Sequence, residues 1–279
     1  MNTPVSHFIT VDGTRLHYLS TFDDSLDKNN NITLLLHGWP TSSFLWRNVM
    51  ANLDLGETVI ALDLPGFGQS DKPLRGAYSL EYYQDIISGF LAALGVDKVN
   101  LAVHDMGGPV GLYWAVNNKD RLRKIVLLNT LIYPELHWFV KLFVGLSFVP
   151  GLKRWMSSGQ AIKWTMKLGT ASKISDDAIR HYQSAFETPE ARMALIKTLH
   201  KLDPSKLNVI ADGLKELTLP VQIIYGTKDL ALPDVAKTMA RVKQDLPETV
   251  VHVLQGCGHF LQEDEPEEVS RLMGEFLAV

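Results

Sequence analysis

Five short apolar runs, each ending at a glycine or a polar residue, constrain the fold of this chain most strongly. They alternate with stretches that have helical spacing, and they read ITLLLHG (32–38), TVIALDLPG (58–66), VNLAVHD (99–105), KIVLLNT (124–130) and VQIIYG (221–226). Continuous apolar runs of this length are typical of strands buried on both faces. The pattern therefore predicts an α/β fold in which helices cover both faces of a mostly parallel central sheet.

The two ends of the sequence extend this sheet. The run at 7–21 (HFITVDG and TRLHYLST) alternates well enough to predict a hairpin, DDSLDKNNN (23–31) predicts a loop, and TVVHVLQG (249–256) predicts a further strand. Two helices have clear ends: Ser79 can cap a helix that stops at Gly95, and Pro266 suits the first turn of the closing helix.

One long segment interrupts the alternation of strands and helices. From about Ile132 to Leu214 no clear buried strand is present, and the sequence favours several helices. We therefore expect a core made of residues 1–131 and 215–279, with residues 132–214 inserted as a helical lid.

Part of this lid, residues 136–175, contains no Asp or Glu. It contains the cations and aromatic residues Lys141, Lys153, Arg154, Lys163, Lys167, Lys173, Trp138, Phe139, Phe143, Phe148, Trp155 and Trp164. The plainest interpretation is a set of helices with an apolar underside and a basic outer face. An apolar substrate pocket under the lid, compatible with that interpretation, and a weak contact with a membrane surface stay open.

Composition excludes several classes of function. Lys and Arg number 27 and Asp and Glu 31, a net formal charge of −4 that does not indicate a nucleic-acid partner. No apolar run reaches the about 20 residues needed to span a bilayer, and the N-terminus has no signal-peptide pattern. Cys257 is the only cysteine, so no internal disulfide can form and a thiolate metal cluster is disfavoured. We expect a soluble cytoplasmic protein.

Three polar residues follow strands at the edge where ligands bind in open α/β sheets. Asp105 lies in LAVHDMGGPVGL (101–112), at the sharp strand-to-helix turn where hydrolases place the serine of the G-x-S-x-G elbow. Asp229 follows the strand at 221–226, and His259 follows the last strand. A helix cap at Asp105, a turn residue at Asp229 with Asp234 as its rival, and a packed loop residue at His259 are the alternatives.

The whole chain resembles the α/β-hydrolase superfamily, and within it the haloalkane dehalogenases and epoxide hydrolases that use an Asp nucleophile. The stretches that carry this resemblance are LLHGWPTSSFLWRNVM (35–50), LDLPGFGQSDKP (62–73), VHDMGGPVGL (103–112), YGTKDLALPDV (225–235) and GCGHFLQEDEPEE (256–268). The resemblance implies that Asp105 is the nucleophile, His259 the general base and Asp229 its supporting acid. It implies backbone donors at Trp39 and Met106, a small apolar substrate, water, and no metal, nucleotide or flavin.

Each branch of the family lacks part of its usual leaving-group machinery here. Haloalkane dehalogenases usually carry Trp directly after the nucleophile and Asn in the turn that reads HGWP here. This chain has Met106 and Trp39 at those places, so an indole from Trp39 or from lid residues Trp138, Trp155 or Trp164 would have to hold the halide. Epoxide hydrolases use two lid tyrosines, for which the lid offers Tyr133 and Tyr182. The resemblance places the second tyrosine later, near Thr198 or Leu199, where this chain has no Tyr.

The resemblance therefore predicts a hydrolase that works through an aspartyl ester, with a haloalkane dehalogenase as the first choice and an epoxide hydrolase second. A relative acting on β-lactones or other esters comes third, and a non-catalytic binding module last. Asn129 lies where some dehalogenases carry the acid as Glu, and its amide cannot serve as that acid, which favours Asp229.

Overall fold

The computed structural model describes residues 3–22, 31–53 and 56–278. Most of the predicted loop at 23–31 lies outside these residues. Eight strands form one sheet: β1 (Val5–Val11), β2 (Thr14–Ser20), β3 (Ile32–Leu36), β4 (Thr58–Leu62), β5 (Val99–Asp105), β6 (Leu122–Thr130), β7 (Val221–Gly226) and β8 (Val250–Leu254). The spatial order is β1-β2-β4-β3-β5-β6-β7-β8.

The sheet is parallel from β4 to β8, and the antiparallel hairpin β1–β2 completes it on the side of β4. Every residue of β3 and β4 is buried, which confirms the prediction from their unbroken apolar runs. β8 differs because it forms an edge, and its Val250, Val251 and Val253 side chains are exposed. The predicted hairpin and all predicted strands are confirmed.

Twelve α-helices accompany the strands in the described part of the chain. In chain order they are α1 (Arg47–Asn52), α2 (Leu80–Leu94), α3 (Gly107–Asn117), α4 (Trp138–Leu146), α5 (Pro150–Met156), α6 (Gly159–Gly169), α7 (Asp176–Ser184), α8 (Pro189–Lys201), α9 (Leu207–Leu214), α10 (Val235–Asp245), α11 (Leu261–Asp264) and α12 (Pro266–Leu277). The Ser79 hydroxyl caps α2 by accepting from the Tyr82 N–H, and Gly95 ends it in the left-handed conformation. Both predicted ends are confirmed.

Between β6 and β7 the regular elements of the inserted segment are the helices α4 to α9 and one short 3-10 turn. Its last helix does not separate from the core. α9 packs against α3, and Gly213 lies so close to Val116 that a Cβ atom there would collide with it. The sequence analysis expects the lid to end at residue 214 and so includes α9 in it. In the structure α9 packs on the core.

Candidate active site

The turn between β5 and α3 holds Asp105 in a strained backbone conformation. Its φ angle is +49°, in the left-handed region that non-glycine residues rarely adopt. A Cβ atom on Gly107 would collide with the backbone at the end of β3, and one on Gly108 would collide with Thr130. The Thr130 hydroxyl donates a 2.6 Å hydrogen bond to the Asp105 carbonyl. The tight turn directs the Asp105 side chain to the carboxyl end of the sheet, where 14% of it is exposed.

One oxygen of the Asp105 carboxylate is fixed by backbone donors. The Trp39 N–H donates a 2.7 Å hydrogen bond to Oδ1. The HGWP turn comes this close because Gly38 has no side chain, since a Cβ atom there would overlap Asp105. Burial opposes ionisation, but the hydrogen bond and charge of His259, with a contribution from the Met106 N–H, lower the pKa of Asp105. The carboxylate is therefore ionised with Oδ1 in place and Oδ2 available.

His259 lies between two carboxylates. Its Nδ1 is 2.9 Å from Asp229 Oδ2, and its Nε2 is 3.5 Å from Asp105 Oδ2. All three residues follow β-strands at one edge of the sheet, and the His259 side chain is only 2% exposed. The structure thus brings together the three residues that the sequence singles out, with the histidine in the middle.

The two carboxylates control the protonation of this histidine. Burial disfavours the imidazolium, but Asp229 and Asp105 outweigh it and raise the pKa of His259 to about 10. Burial likewise opposes the charge on Asp229, and the charge and hydrogen bond of His259 lower its pKa below the usual range. In the resting protein the site therefore holds an imidazolium between two anions at neutral pH.

Asp229 is held in place by three donors. The Ala231 and Leu232 N–H groups each donate a 2.8 Å hydrogen bond to Oδ1, and the Asn129 amide donates one of 2.7 Å to Oδ2. Asp234, the alternative acid, is instead the first residue before α10. Among the described residues no hydrogen bond joins its side chain to His259, so the geometry favours Asp229.

Comparison with known proteins identifies the fold and the enzymes that this chain resembles. A family profile for the alpha/beta hydrolase fold matches residues 32–163. A haloalkane dehalogenase from Psychrobacter cryohalolentis is 28% identical, over 97% of this chain and 91% of its own. A solved haloalkane dehalogenase, the DbeA-M1 loop variant from Bradyrhizobium elkanii, superposes with a TM-score of 0.86 at 24% identity, covering 99% of this chain and 97% of its own.

The chain has the α/β-hydrolase fold.

Two other relatives carry different activities in their names. A soluble epoxide hydrolase from Corynebacterium sp. is 36% identical over 132 residues, which are 47% of this chain and 44% of the relative. A cis-3-alkyl-4-alkyloxetan-2-one decarboxylase from Shewanella oneidensis is 26% identical, over 94% of this chain and 85% of its own. The chain is therefore an enzyme that is similar to haloalkane dehalogenases and epoxide hydrolases.

Two residues next to Asp105 offer this α/β hydrolase no free side-chain donor. Met106 is buried, and its thioether cannot donate a hydrogen bond. The Trp39 indole N–H points to the Leu195 carbonyl of α8, at 3.4 Å, and its ring packs edge-on against Phe143 of α4. Trp39 therefore joins the catalytic turn to the inserted helices through its side chain and contacts Asp105 through its backbone.

The two tyrosines that the sequence suggests for the pocket are buried with their hydroxyls already bonded. The Tyr133 hydroxyl donates a 2.7 Å hydrogen bond to Asp245, and the Tyr182 hydroxyl donates one of 2.5 Å to Glu263. Burial and these carboxylates raise the pKa of both tyrosines. Neither hydroxyl is directed toward Asp105 as a proton donor.

The three lid tryptophans lie on the surface. Trp138 is 66% exposed, Trp155 55% and Trp164 52%. A side chain that lines an enclosed pocket would be covered, so this exposure does not fit the pocket role that the sequence analysis gave these residues.

The inserted helices are bonded to the loop that carries His259. The Gly169 carbonyl, at the end of α6, accepts hydrogen bonds from the His259 N–H at 2.7 Å and the Phe260 N–H at 3.1 Å. A Cβ atom on Gly169 would collide with the Phe260 ring. The position of α6 therefore helps to set the position of His259.

Three further residues position the site, and the sequence analysis considered Asn129 only as a missing acid. Asn129 orients Asp229, Gly169 anchors the histidine loop, and His104 holds the His259 carbonyl at 2.9 Å through Nε2. Burial and the charge of His259 lower the pKa of His104 to about 4, so its neutral ring donates this bond. Asn129 and His104 each lie at or next to the end of a strand, beside a residue of the site. That position is a signal that could have identified them as positioning residues.

In the described residues no cluster of His, Cys, Asp or Glu could hold a metal ion.

Proposed function

We propose that this α/β hydrolase cleaves a bond at a saturated carbon through an ester on Asp105, with haloalkanes as the substrate class. The geometry at Asp105 carries the proposal, because a carboxylate stands where related hydrolases place a serine hydroxyl. A carboxylate that attacks a carbonyl would form a reactive anhydride. At a saturated carbon it forms an alkyl ester that water can hydrolyse.

In the first step Asp105 Oδ2 attacks the carbon that bears the halogen. The new C–O bond forms as the carbon–halogen bond breaks, and halide leaves with the electron pair. Oδ1 is held by the Trp39 N–H at 2.7 Å, which leaves Oδ2 as the nucleophilic oxygen. The product of this step is an alkyl ester of Asp105 and a free halide ion.

In the second step His259 activates water. Nε2 takes a proton from the water, whose oxygen adds to the carboxyl carbon of Asp105, and Asp229 stabilises the imidazolium through Nδ1. The negative charge develops on the oxygen beside the Trp39 and Met106 N–H groups. Collapse of this intermediate releases the alcohol, which takes the proton from His259. The Asp105 carboxylic acid that remains then gives its proton to His259, which restores the carboxylate and the imidazolium.

The tyrosine contacts favour a halide over an epoxide as the leaving group. Halide leaves as a stable anion and needs no proton, whereas the oxygen of an opening epoxide must be protonated. Tyr133 and Tyr182 are the tyrosines considered for that proton, and each donates instead to a carboxylate outside the catalytic three.

A β-lactone is the second candidate substrate. Attack of Asp105 at the saturated C–O carbon of such a ring would release a carboxylate, which is also a stable anion. The absence of a free donor on Met106 or on the Trp39 indole favours this candidate, since neither side chain is set to hold a halide. The decarboxylase relative from Shewanella oneidensis supports it.

The inserted helices would act as a lid over this chemistry. Three contacts support that role: Phe143 of α4 and Leu195 of α8 meet the Trp39 side chain, and Gly169 of α6 meets the His259 loop. Because α9 packs on the core, we place the end of the lid before Pro204.

A cytoplasmic location is part of the proposal and is supported by the single cysteine, Cys257.

A single turnover in water labelled with the heavy oxygen isotope tests the ester mechanism. Water attacks the carboxyl carbon, so the label should enter Asp105 first while the alcohol carries an oxygen that came from the enzyme. Label found only in the alcohol would mean that water attacks the substrate directly, and it would also exclude Asp105 as nucleophile. Parallel assays of halide release and lactone consumption decide between the two substrate classes.

A further inference from the structure

The lid has an unusual concentration of exposed apolar side chains. In the described chain, 18 large hydrophobic residues are noticeably exposed, and ten of them lie between residues 138 and 168, each more than a third exposed. We call these ten the lid patch: Trp138, Phe139, Leu142, Leu146, Phe148, Val149, Leu152, Trp155, Trp164 and Leu168. A segment that is about a ninth of the chain therefore holds more than half of these side chains, which marks a contact surface.

The lid patch follows the geometry of its helices. Trp138, Leu142 and Leu146 recur every four residues along the outer side of α4. The inner side of α4 is apolar as well, since Phe143 packs on Trp39. A helix that is apolar on both sides has a second surface to bury, and the protein itself covers only one.

The next two helices continue the outward stripe. Phe148, Leu152 and Trp155 share one side of α5 and the turn before it, and Trp164 and Leu168 are one helical turn apart on α6. Three consecutive short helices thus present bulky apolar side chains to solvent.

Charge identifies the kind of partner. Residues 136–175 contain six cations and no carboxylate, so the rest of the chain carries a formal charge of −10 against −4 for the whole. Among the described residues none of these six cations has a carboxylate within ion-pair distance, in contrast to Arg47, Lys119 and Arg241 elsewhere. The lid patch is therefore bordered by cations that no carboxylate of the described residues neutralises.

From this combination we propose that the lid docks on an anionic lipid surface. Leu, Phe and Trp side chains enter the boundary between headgroups and acyl chains, and the cations meet anionic headgroups. A second copy of the chain is a poorer occupant, because a symmetric dimer through this surface would bring the same cations face to face. No helix in the described chain is long and apolar enough to cross a bilayer, so the contact is peripheral.

The test is sedimentation of the full chain with vesicles of phosphatidylcholine, with or without phosphatidylglycerol. Binding should require phosphatidylglycerol and weaken as salt is added. Lys153→Glu with Lys167→Glu should reduce the partition coefficient by at least about tenfold. The matched control is Lys98→Glu with Arg123→Glu, which makes the same charge change where β5 and β6 begin, at the opposite end of the sheet, and should reduce it far less.

A second pair of variants tests the apolar contribution. Leu152→Ser with Trp155→Ser removes two exposed side chains and should weaken binding by about tenfold or more. Val250→Ser with Val253→Ser removes two exposed side chains from edge strand β8 and should leave binding within about twofold.

Tryptophan fluorescence gives an independent measurement. Of the six tryptophans, Trp39, Trp46 and Trp114 are buried in the core and the other three belong to the lid patch. Docking should therefore shift the emission to shorter wavelength, and Trp155→Phe should reduce that shift. Three results would each overturn the proposal. They are binding that does not depend on phosphatidylglycerol, equal losses of binding in the matched controls, and a dimer that forms through the lid patch without vesicles.

Discussion

The Nε2 atom of His259 lies 3.5 Å from Oδ2 of Asp105, the oxygen that the Trp39 N–H leaves free. At this distance the charge of Asp105 affects the pKa of His259 during the proposed cycle. Asp105 is one of the two anions that raise the pKa of His259 to about 10. When Asp105 becomes an ester it loses its charge, and the pKa of His259 falls. Formation of the intermediate would thus let the imidazolium release its proton to solvent, which leaves His259 neutral and able to act as the base that hydrolyses the ester.

Asp105→Asn tests this coupling, because an amide is neutral as the ester is. The pKa of His259, followed by NMR of the imidazole, should be clearly lower in the variant than in the wild type, and turnover should be lost. Asp120→Asn changes an exposed carboxylate in the loop after α3 and serves as the control. An unchanged pKa of His259 in Asp105→Asn would show that the charge of Asp105 does not raise that pKa, and it would contradict the account.

The same raised pKa predicts how stability depends on pH. His259 has a higher pKa in the folded chain than the 6.5 of a free histidine, so its charge favours the folded state. That contribution is complete below pH 6.5 and disappears as the pH rises through about 10. Denaturant titrations across this window should show a larger loss of stability in the wild type than in His259→Phe. Parallel losses would show that His259 is not the group responsible.

Asn129→Ala should leave Asp229 with one hydrogen bond fewer at the oxygen that faces His259. We expect kcat to fall by about tenfold or more with little change in KM, and the free energy of unfolding to fall by about 1–3 kcal/mol. Asn100→Ala is the matched control, since Asn100 is also buried and bonds Thr33 at the other end of β5. It should lose stability and keep kcat. Equal kcat in the two variants would assign Asn129 a purely structural role.

Gly169→Ala should disturb catalysis from the lid. The added methyl group would collide with Phe260, next to His259, so kcat should fall and the imidazole signal of His259 should shift. Gly151→Ala is a suitable comparison, because nothing lies within 4 Å of a Cβ atom there. That variant should gain up to about 1 kcal/mol of stability from helix propensity and keep normal turnover. Normal turnover in Gly169→Ala would mean that α6 does not position the histidine.

Tyr133→Phe and Tyr182→Phe should each keep turnover within about threefold. Their hydroxyls bond Asp245 and Glu263, so the expected loss is in stability, by about 1–3 kcal/mol for a buried bond to a charged group. A loss of a hundredfold or more in either variant, with epoxides as the substrates that the wild type turns over, would restore the tyrosines as proton donors and favour the epoxide hydrolase.

Local signals in the sequence were sufficient for the sheet and for two helix ends. Unbroken apolar runs predicted β3 to β7, and the Ser79 and Gly95 caps depend only on nearby backbone groups. The proximity of Asp105, Asp229 and His259 was also predictable. Each lies at or just after the end of a strand, and the parallel strands all end at one edge of the sheet.

Side-chain direction in the lid was not predictable by these means. Trp138 and Phe143 lie on one short apolar helix, and only the neighbouring turn at Trp39 decides which of them faces inward. The Tyr182 hydroxyl bonds Glu263, which is 81 residues away in the sequence. This contact depends on how the helices pack, and no local sequence pattern predicts it. Asn129 was considered only as an acid that is absent, whereas its amide turns out to hold the acid that is present.

The most direct test of the aspartyl ester is intact-protein mass spectrometry of His259→Phe after incubation with separate haloalkane, β-lactone and epoxide panels. Without its base the enzyme should form the ester and fail to hydrolyse it. The account predicts a mass gain equal to the alkyl group of a haloalkane, mapped to the peptide that contains Asp105 and absent from the double variant Asp105→Ala with His259→Phe. An adduct at another residue, or one that persists in the double variant, would contradict it.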